Sequence, residues 1–222
     1  MNLIHKLSPL IYALYVKIIS YLPAIPNSQT MLFFRKLHNI FLSILSFLML
    51  IGIIYGNYLD NKLATAYNFI CLANKSYWTT LSVKTFLYSK YLEWLDTLFL
   101  VLSGKPISML QYTHHMSTAI LVYFNYYPFI SPFINVFIML NCFVHIFMYW
   151  YFAYPKGFLY PYRRMITQSQ IVQHIICLIT LVVTPFINNC YQNFYGHILG
   201  FFLYSMYLFY FLMFYNKGKK SN

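Results

Sequence analysis

Apolar runs too long for a water-soluble core recur from one end of this 222-residue sequence to the other. A helix needs about 20 mostly apolar residues to cross bilayer hydrocarbon. Stretches of that kind fall at about 8–25, 38–56, 84–102, 114–130, 132–153, 166–187 and 196–215. Runs such as Phe41 to Ile54 do not alternate apolar with polar residues, which argues against transmembrane β-strands. The expected fold is therefore an all-α, polytopic membrane protein with seven transmembrane helices. The first span is the weakest, because Lys17 interrupts it and Pro9, Pro23 and Pro26 bracket it; without it the count is six. The third carries Lys84, Lys90, Glu93 and Asp96 and would escape a search by hydropathy alone. No repeat, Gly/Ser linker or low-complexity tract divides the chain, so residues 1–222 are expected to form a single transmembrane domain.

Charge placement gives the expected topology. Charged residues are 8% of the chain, against about a quarter in a soluble domain. Fifteen Lys and Arg oppose three acids, Asp60, Glu93 and Asp96, for a net charge of +12. With a cytosolic C-terminus, the cytosolic connections hold Arg35, Lys36, Lys105, Lys156, Arg163 and Arg164, while the loops near Pro128–Pro132 and Ile187–Tyr195 hold no charge. That alternation obeys the positive-inside bias for seven spans with the N-terminus outside. The 57–83 loop, with Lys62 and Lys75, fits it less well. Excess positive charge also favours an anionic partner such as a CoA ester or a lipid headgroup. No basic stripe on a soluble face is visible, so nucleic acid is not an expected partner. The four cysteines, Cys71, Cys142, Cys177 and Cys190, are isolated and read as small packing residues rather than as a metal site or disulfide framework. No removable signal peptide is expected.

Ionisable residues inside a membrane are costly and ask for a reason. Four clusters lie on or beside the expected spans. In Lys90-x-x-Glu93-x-x-Asp96-Thr97, spacing by three sets Lys90, Glu93 and either Asp96 or Thr97 along one helix face. A structural ion pair that fixes helix packing is the plain reading. In Gln111-x-x-His114-His115, adjacent histidines point about 100° apart, so one can face a cavity while the other orients it. Asn141, His145 and Tyr149 recur every four residues and stack an amide, an imidazole and a phenol in line. Thr167, Gln170 and Gln173, with His174 adjacent, form the fourth cluster; amides on a buried helix also serve simply to hold helices together. His5, His38 and His197 lie far from these motifs in sequence.

Read in order, the four clusters resemble the ELO family of very-long-chain fatty acid elongases, whose marks run K-x-x-E-x-x-D-T, H-x-x-H-H, N-x-x-x-H-x-x-M-Y and T-x-x-Q-x-x-Q. Leu37-His-Asn39 and the residues to Ser46 also look like that family's second span, and the likeness covers roughly residues 35 to 175. The resemblance implies seven helices around an intramembrane acyl-CoA tunnel in the endoplasmic reticulum. It also implies condensation of long-chain acyl-CoA with malonyl-CoA to 3-oxoacyl-CoA, carbon dioxide and CoA, with no cofactor and no metal. A reductase, a dehydratase and an enoyl reductase of the same cycle are the implied protein partners, and a homo-oligomer is a further expectation. The tail Lys219-Lys220-Ser221-Asn222 resembles a dilysine retrieval signal, an address read on the cytosolic side. One position departs from the pattern: Gln111 replaces the first histidine of the box, and an amide can orient by hydrogen bonds but cannot act as a base.

The chemistry expected on this reading has His114 attacking the acyl thioester to form an acyl-imidazole, which splits the condensation into two easier steps. His115 would orient or relay protons, and His145 with Asn141 would hold malonyl-CoA and stabilise the enolate released by decarboxylation. Lys90, Glu93 and Asp96 would position the histidines. Direct carbanion attack, with His114 only a base, is the competing mechanism. Two other functions share some of these features. A membrane di-iron desaturase or hydroxylase also carries histidine boxes, but needs several, and only His114 and His115 form a pair here. A seven-helix transporter or receptor would also carry mid-membrane polar residues.

Overall fold

The computed structural model of the protein describes residues 2–26, 28–190 and 193–220, without the side chains of residues 2 and 217–220. The dilysine-like tail therefore lies outside the described side chains. Ten α-helices follow one another among the described residues, with no strand: α1 Asn2–Lys6, α2 Ser8–Ile19, α3 Gln29–Leu59, α4 Ala66–Cys71, α5 Tyr77–Leu92, α6 Trp94–Leu102, α7 Met109–Tyr126, α8 Ile134–Ala153, α9 Arg163–Val183 and α10 Phe194–Lys220. Four helical stretches are long and apolar enough to cross a membrane, Gln29–Leu59, Ile134–Ala153, Tyr160–Phe186 and Phe194–Asn216, and the chain is a membrane protein. The 18 residues of α7 carry Gln111, His114 and His115, which keeps that helix from reading as apolar.

Two expected spans are corrected. The first becomes α2, only 12 residues and about 18 Å long, which is too short to cross about 30 Å of hydrocarbon. Pro9 is tolerated in its first turn, where the missing N–H is not needed, but Pro23 bars its continuation. The third, expected at 84–102, starts earlier, at Tyr77, and breaks at Glu93 into α5 and α6. There the Glu93 N–H donates to Ser89 O at 2.9 Å, and the Asp96 N–H donates three residues back to Glu93 O at 3.1 Å. This is one tight turn inside an otherwise continuous path. The second span also starts earlier, so Arg35 and Lys36 stand inside α3 rather than before it.

Packing runs round a ring in the order α3, α8, α9, α10, α7, α5 and back to α3, while α2 lies outside against α7 and α6. The helices alternate in direction. One end of the ring therefore gathers the starts of α3, α7 and α9, and the other gathers the ends of those helices with α4. The apolar core fills the second end. Met49, Ile53, Val83, Phe86, Leu87, Val122 and Ile138 form its main cluster, and Phe133, Phe137, Cys177 and Leu181 form a smaller one. Polar ties supplement this packing, because lipid gives no hydrophobic reason for two helices to meet. Asn135 donates to Asn57 Oδ1 at 2.6 Å and to Asn74 Oδ1 at 2.7 Å, joining α8, α3 and the loop before α5.

The cysteine reading is half corrected. Cys142 and Cys177 are free and buried, but Cys71 and Cys190, distant in sequence, form a disulfide between α4 and the loop before α10. Residue spacing could not show it, since the partners are 119 positions apart. The awkward lysine of the 57–83 loop is also accounted for. Lys62 is fully buried, and its ammonium donates to the carbonyls of Leu72 and Pro132. Its charge is spent tying that loop to the start of α8. Burial pushes its pKa down to about 8, with nearby Asp60 opposing the shift.

Gly52 and Gly56 let α3 approach α5 closely, four residues apart on one face. A Cβ at Gly56 would stand 2.7 Å from Thr79 N, which is backbone and cannot rotate away, whereas one at Gly52 would meet mainly the Ser82 hydroxyl. Gly56→Ala is therefore expected to destabilise the protein by about 1–3 kcal/mol, and Gly52→Ala by less. Thermal unfolding of the purified variants in detergent checks the order; equal melting temperatures would contradict it.

Candidate functional site

The site occupies the end of the ring opposite the apolar core. Its position follows from the end of α6 and the start of α7. Ser108 caps α7, its Oγ accepting the Gln111 N–H at 3.1 Å, so that His114 and His115 come one turn inside the helix. The preceding loop is fixed by Gly104 at φ +65, which closes α6 with Lys105 N–H to Leu100 O at 3.0 Å and Gly104 N–H to Val101 O at 2.9 Å. A cavity of about 770 Å³ opens here. His114, His115 and His145 line its interior, with Glu93, Asp96, Asn141, Tyr149, Gln111, Gln170 and Gln173. Arg35, Lys105, Arg163 and Arg164 line it where those helices start or end.

The first motif does not act as one face. Lys90 and Glu93 turn inward, both side chains 2% exposed, with Lys90 Nζ donating to Glu93 Oε1 at 2.7 Å and to Asn141 Oδ1 at 3.2 Å. His145 Nδ1 lies 3.7 Å from the same Glu93 oxygen. The α5–α6 break is thereby tied to α8 through an ion pair and an amide. Asp96 faces elsewhere: its Oδ1 lies 2.9 Å from His38 Nε2, and its Oδ2 accepts the Tyr149 O–H at 2.8 Å. Thr97 takes a third direction, bonding Tyr12 OH at 2.7 Å.

The histidines differ in access. His114 is partly open to the cavity, while His115 is buried and meets it edge to face at 5.4 Å between ring centres. The Trp94 indole N–H donates to His115 O at 3.1 Å, securing the α7 backbone beside the α6 start. The ring of Tyr149 stands perpendicular to His145 at 5.2 Å, so the expected stack along α8 forms. Gln111 is a cavity residue with one long contact, Nε2 to Thr97 Oγ1 at 3.5 Å. Gln173 is buried, and His174 Nδ1 donates to Gln170 O, which anchors the fourth cluster within α9. Two buried polar atoms facing this region, Glu93 Oε2 and His115 Nδ1, have no protein partner. They are the atoms that a bound polar group or water would satisfy.

Sequence separation misled on two histidines. His38 holds Asp96, and His5 pairs with Tyr91 OH at 2.7 Å, directly after Lys90 in the chain. The similarity of Leu37-His-Asn39 to a known span was the only available signal for His38. The sequence places Arg35, Lys105, Arg163 and Arg164 on one side of the membrane by topology; the structure gathers all four at one cavity. Among the described residues, no three His, Cys, Asp or Glu side chains converge as metal donors.

Removing one member of a buried ion pair leaves the other charge uncompensated. Lys90→Met is therefore expected to cost about 3–5 kcal/mol of stability, and adding Glu93→Gln to recover most of it. The measurement is a double-mutant cycle on thermal unfolding in detergent. A pair as unstable as Lys90→Met alone would remove the Lys90–Glu93 bond from the argument.

The chain matches the family described as ELO: GNS1/SUR4 family over residues 3–221. It is similar to Fatty acid elongase A of Dictyostelium discoideum, 34% identical over 145 residues, covering 64% of this chain and 53% of that protein. It is similar also to Fatty acid elongase sre1 of the same organism, 31% identical over 176 residues, covering 73% and 63%. With Long chain fatty acid elongase 1 of Caenorhabditis elegans the identity is 38% over 106 residues, covering 45% and 34%. The chain thus spans less than two thirds of each of these relatives' length. A family match along nearly the whole chain, on helices that bring the four motifs to one cavity, settles its kinship: the chain belongs to the ELO family.

Proposed function

We propose that this protein catalyses the condensing step of fatty acid elongation, joining long-chain acyl-CoA and malonyl-CoA to give 3-oxoacyl-CoA, carbon dioxide and free CoA. The observation that carries the reading is one cavity lined by four histidines, His114, His115, His145 and His174, with four basic residues, Arg35, Lys105, Arg163 and Arg164, at its mouth. The phosphates of a CoA ester suit the basic mouth, and the histidines suit acyl transfer. His114, the more open of the first pair, attacks the thioester carbonyl, and the CoA thiolate leaves with a proton. Loss of carbon dioxide from malonyl-CoA then supplies the electron pair that attacks the acyl-imidazole, and His114 leaves as imidazole by taking up one proton from solvent. His145 and Asn141 stabilise the enolate oxygen. Glu93, through Lys90 and His145, keeps these groups in register, and Asp96 does the same through His38 and Tyr149. No cofactor enters this scheme.

Purified protein with long-chain acyl-CoA is expected to form 3-oxoacyl-CoA only when malonyl-CoA is added. His114→Ala is expected to lower that rate by about 10³-fold or more, and to abolish the acyl adduct seen by intact-protein mass spectrometry after acyl-CoA alone. Product without malonyl-CoA, or transport of substrate without product, would overturn the reading. An active enzyme that never carries an adduct would favour direct carbanion attack instead.

The proposed setting is the endoplasmic reticulum membrane, with the basic mouth and the C-terminus cytosolic and the short α2 beside a bundle of crossing segments. Disulfides persist in oxidising compartments, and Cys71–Cys190 sits at the end away from the mouth, which favours a lumenal assignment for that end. In sealed microsomes bearing a Cys142→Ala/Cys177→Ala variant, a membrane-impermeant reductant and maleimide should leave the protein unlabelled until the membrane is opened. Labelling of the sealed vesicles would invert the topology.

A further inference from the structure

Among the described residues, no protein atom hydrogen-bonds either ring nitrogen of His114. Its contacts are ring contacts, with His115 at 5.4 Å and Tyr207 at 5.1 Å between centres. An imidazole has two nitrogens, and the hydrogen bond made at one sets what the other can do. When His114 takes an acyl group from the large cavity, its second nitrogen is left for the other space that the residue borders.

That space is a void of about 30 Å³ between α5, α7, α8, α9 and α10. Its size suits a water molecule or two, and its wall includes Lys90, His114, Thr118, Asn141, Gln173 and His174. Two of these have hydrogen-bonding capacity to spare. Thr118 is 7% exposed and its hydroxyl has no protein partner, whereas Thr113 on the same helix gives its own to Met109 O. His174 is 3% exposed, and its Nδ1 is engaged by Gln170 O. A carbonyl only accepts, so Nδ1 carries the proton and Nε2 carries the lone pair. Lys90 differs, because its ammonium is given to Glu93 Oε1 and Asn141 Oδ1. His174 also lines the large cavity, so one ring touches both spaces.

We infer that a water in this void, held by Thr118 and His174, serves the second nitrogen of His114, and that His174 relays protons between that water and the large cavity. The inference rests on the condensing-enzyme reading and deepens it. In acylation the C–N bond to His114 forms and the C–S bond breaks. The proton on the second nitrogen of His114 passes through the water to His174 and on to the CoA thiolate. In condensation the new C–C bond forms and the C–N bond breaks, while one proton from solvent returns to His114 by the same path. His174 ends each turnover as it began. One proton is taken from solvent for each carbon dioxide released, which is the balance of the whole reaction.

The test compares the full chain in detergent as wild type, His174→Phe and Thr118→Val. A phenyl ring suits the Tyr204, Tyr207 and Phe211 rings around position 174, and Val copies the shape of Thr without its hydroxyl. His174→Phe is expected to lower malonyl-CoA-dependent kcat by about 10²-fold. The KM for acyl-CoA and the melting temperature should stay near wild type, and the solvent deuterium isotope effect on kcat should rise. Thr118→Val is expected to act in the same direction by less, and it decides alone should His174→Phe fail to fold. Unchanged kcat overturns the relay, as does a lower kcat that comes with a lower melting temperature and an unmoved isotope effect. A CoA-free arm separates the relay from the condensation. Diethyl pyrocarbonate places an acyl group on His114 and hydroxylamine removes it, both followed by mass spectrometry of the His114 peptide. If wild type makes no product, slower removal in both variants keeps the relay and drops the condensation; equal removal rates drop both.

Discussion

A single buried carboxylate, Glu93, holds this structure's working end together. It stands at the turn between α5 and α6, takes the Lys90 ammonium at 2.7 Å, and lies 3.7 Å from His145 on α8. Lys90 in turn reaches Asn141, so helices from different parts of the sequence are fixed to one charge pair. In lipid, where packing alone gives little orientation, an ion pair of this kind fixes rotation and register for every helix that touches it. Beside this pair the Trp94 indole ties the start of α6 to the His115 carbonyl of α7, so the helices that carry the histidines are joined at the cavity.

Asp96 repeats the device one turn further along. Its two oxygens are divided between His38 of α3 and Tyr149 of α8, and these two helices make the most extensive contact in the molecule. Two of the chain's three acids are thus spent on holding imidazoles and a phenol, and the third, Asp60, accepts the backbone N–H groups of Lys75 and Ser76 at the other end. With so few acids, none is left as a solvated surface charge.

The two ends of the ring have different physics. The mouth end carries the exposed or half-exposed cations Arg35, Lys105, Arg163 and Arg164. The far end is closed by the amide cluster of Asn57, Asn74 and Asn135, by buried Lys62 and by the Cys71–Cys190 bond. A loop that is cross-linked and internally bonded suits a closed end, while open cations suit the capture of an anionic substrate.

Much of this was legible in the chain. The apolar runs required a helical membrane protein, and the four-residue spacing of Asn141, His145 and Tyr149 put them on one face of α8, because both properties depend only on local helix geometry. Spacing by three also paired Lys90 with Glu93. It could not tell that Asp96 would turn away, since the tight turn at Glu93 shifts the angular register of every later residue. Nor could it join His38 to Asp96, Cys71 to Cys190 or His5 to Tyr91. His38 meets Asp96 because α3 packs beside α5 and α6 in the ring, whereas Cys71 and His5 reach their partners because α4 and α1 pack against α8 and α7, all contacts set by neighbouring helix and not by distance along the chain. Sequence by itself determined which side chains each helix offers and on which face; tertiary structure alone decided which of them meet, because that depends on helix order and rotation fixed by buried charges.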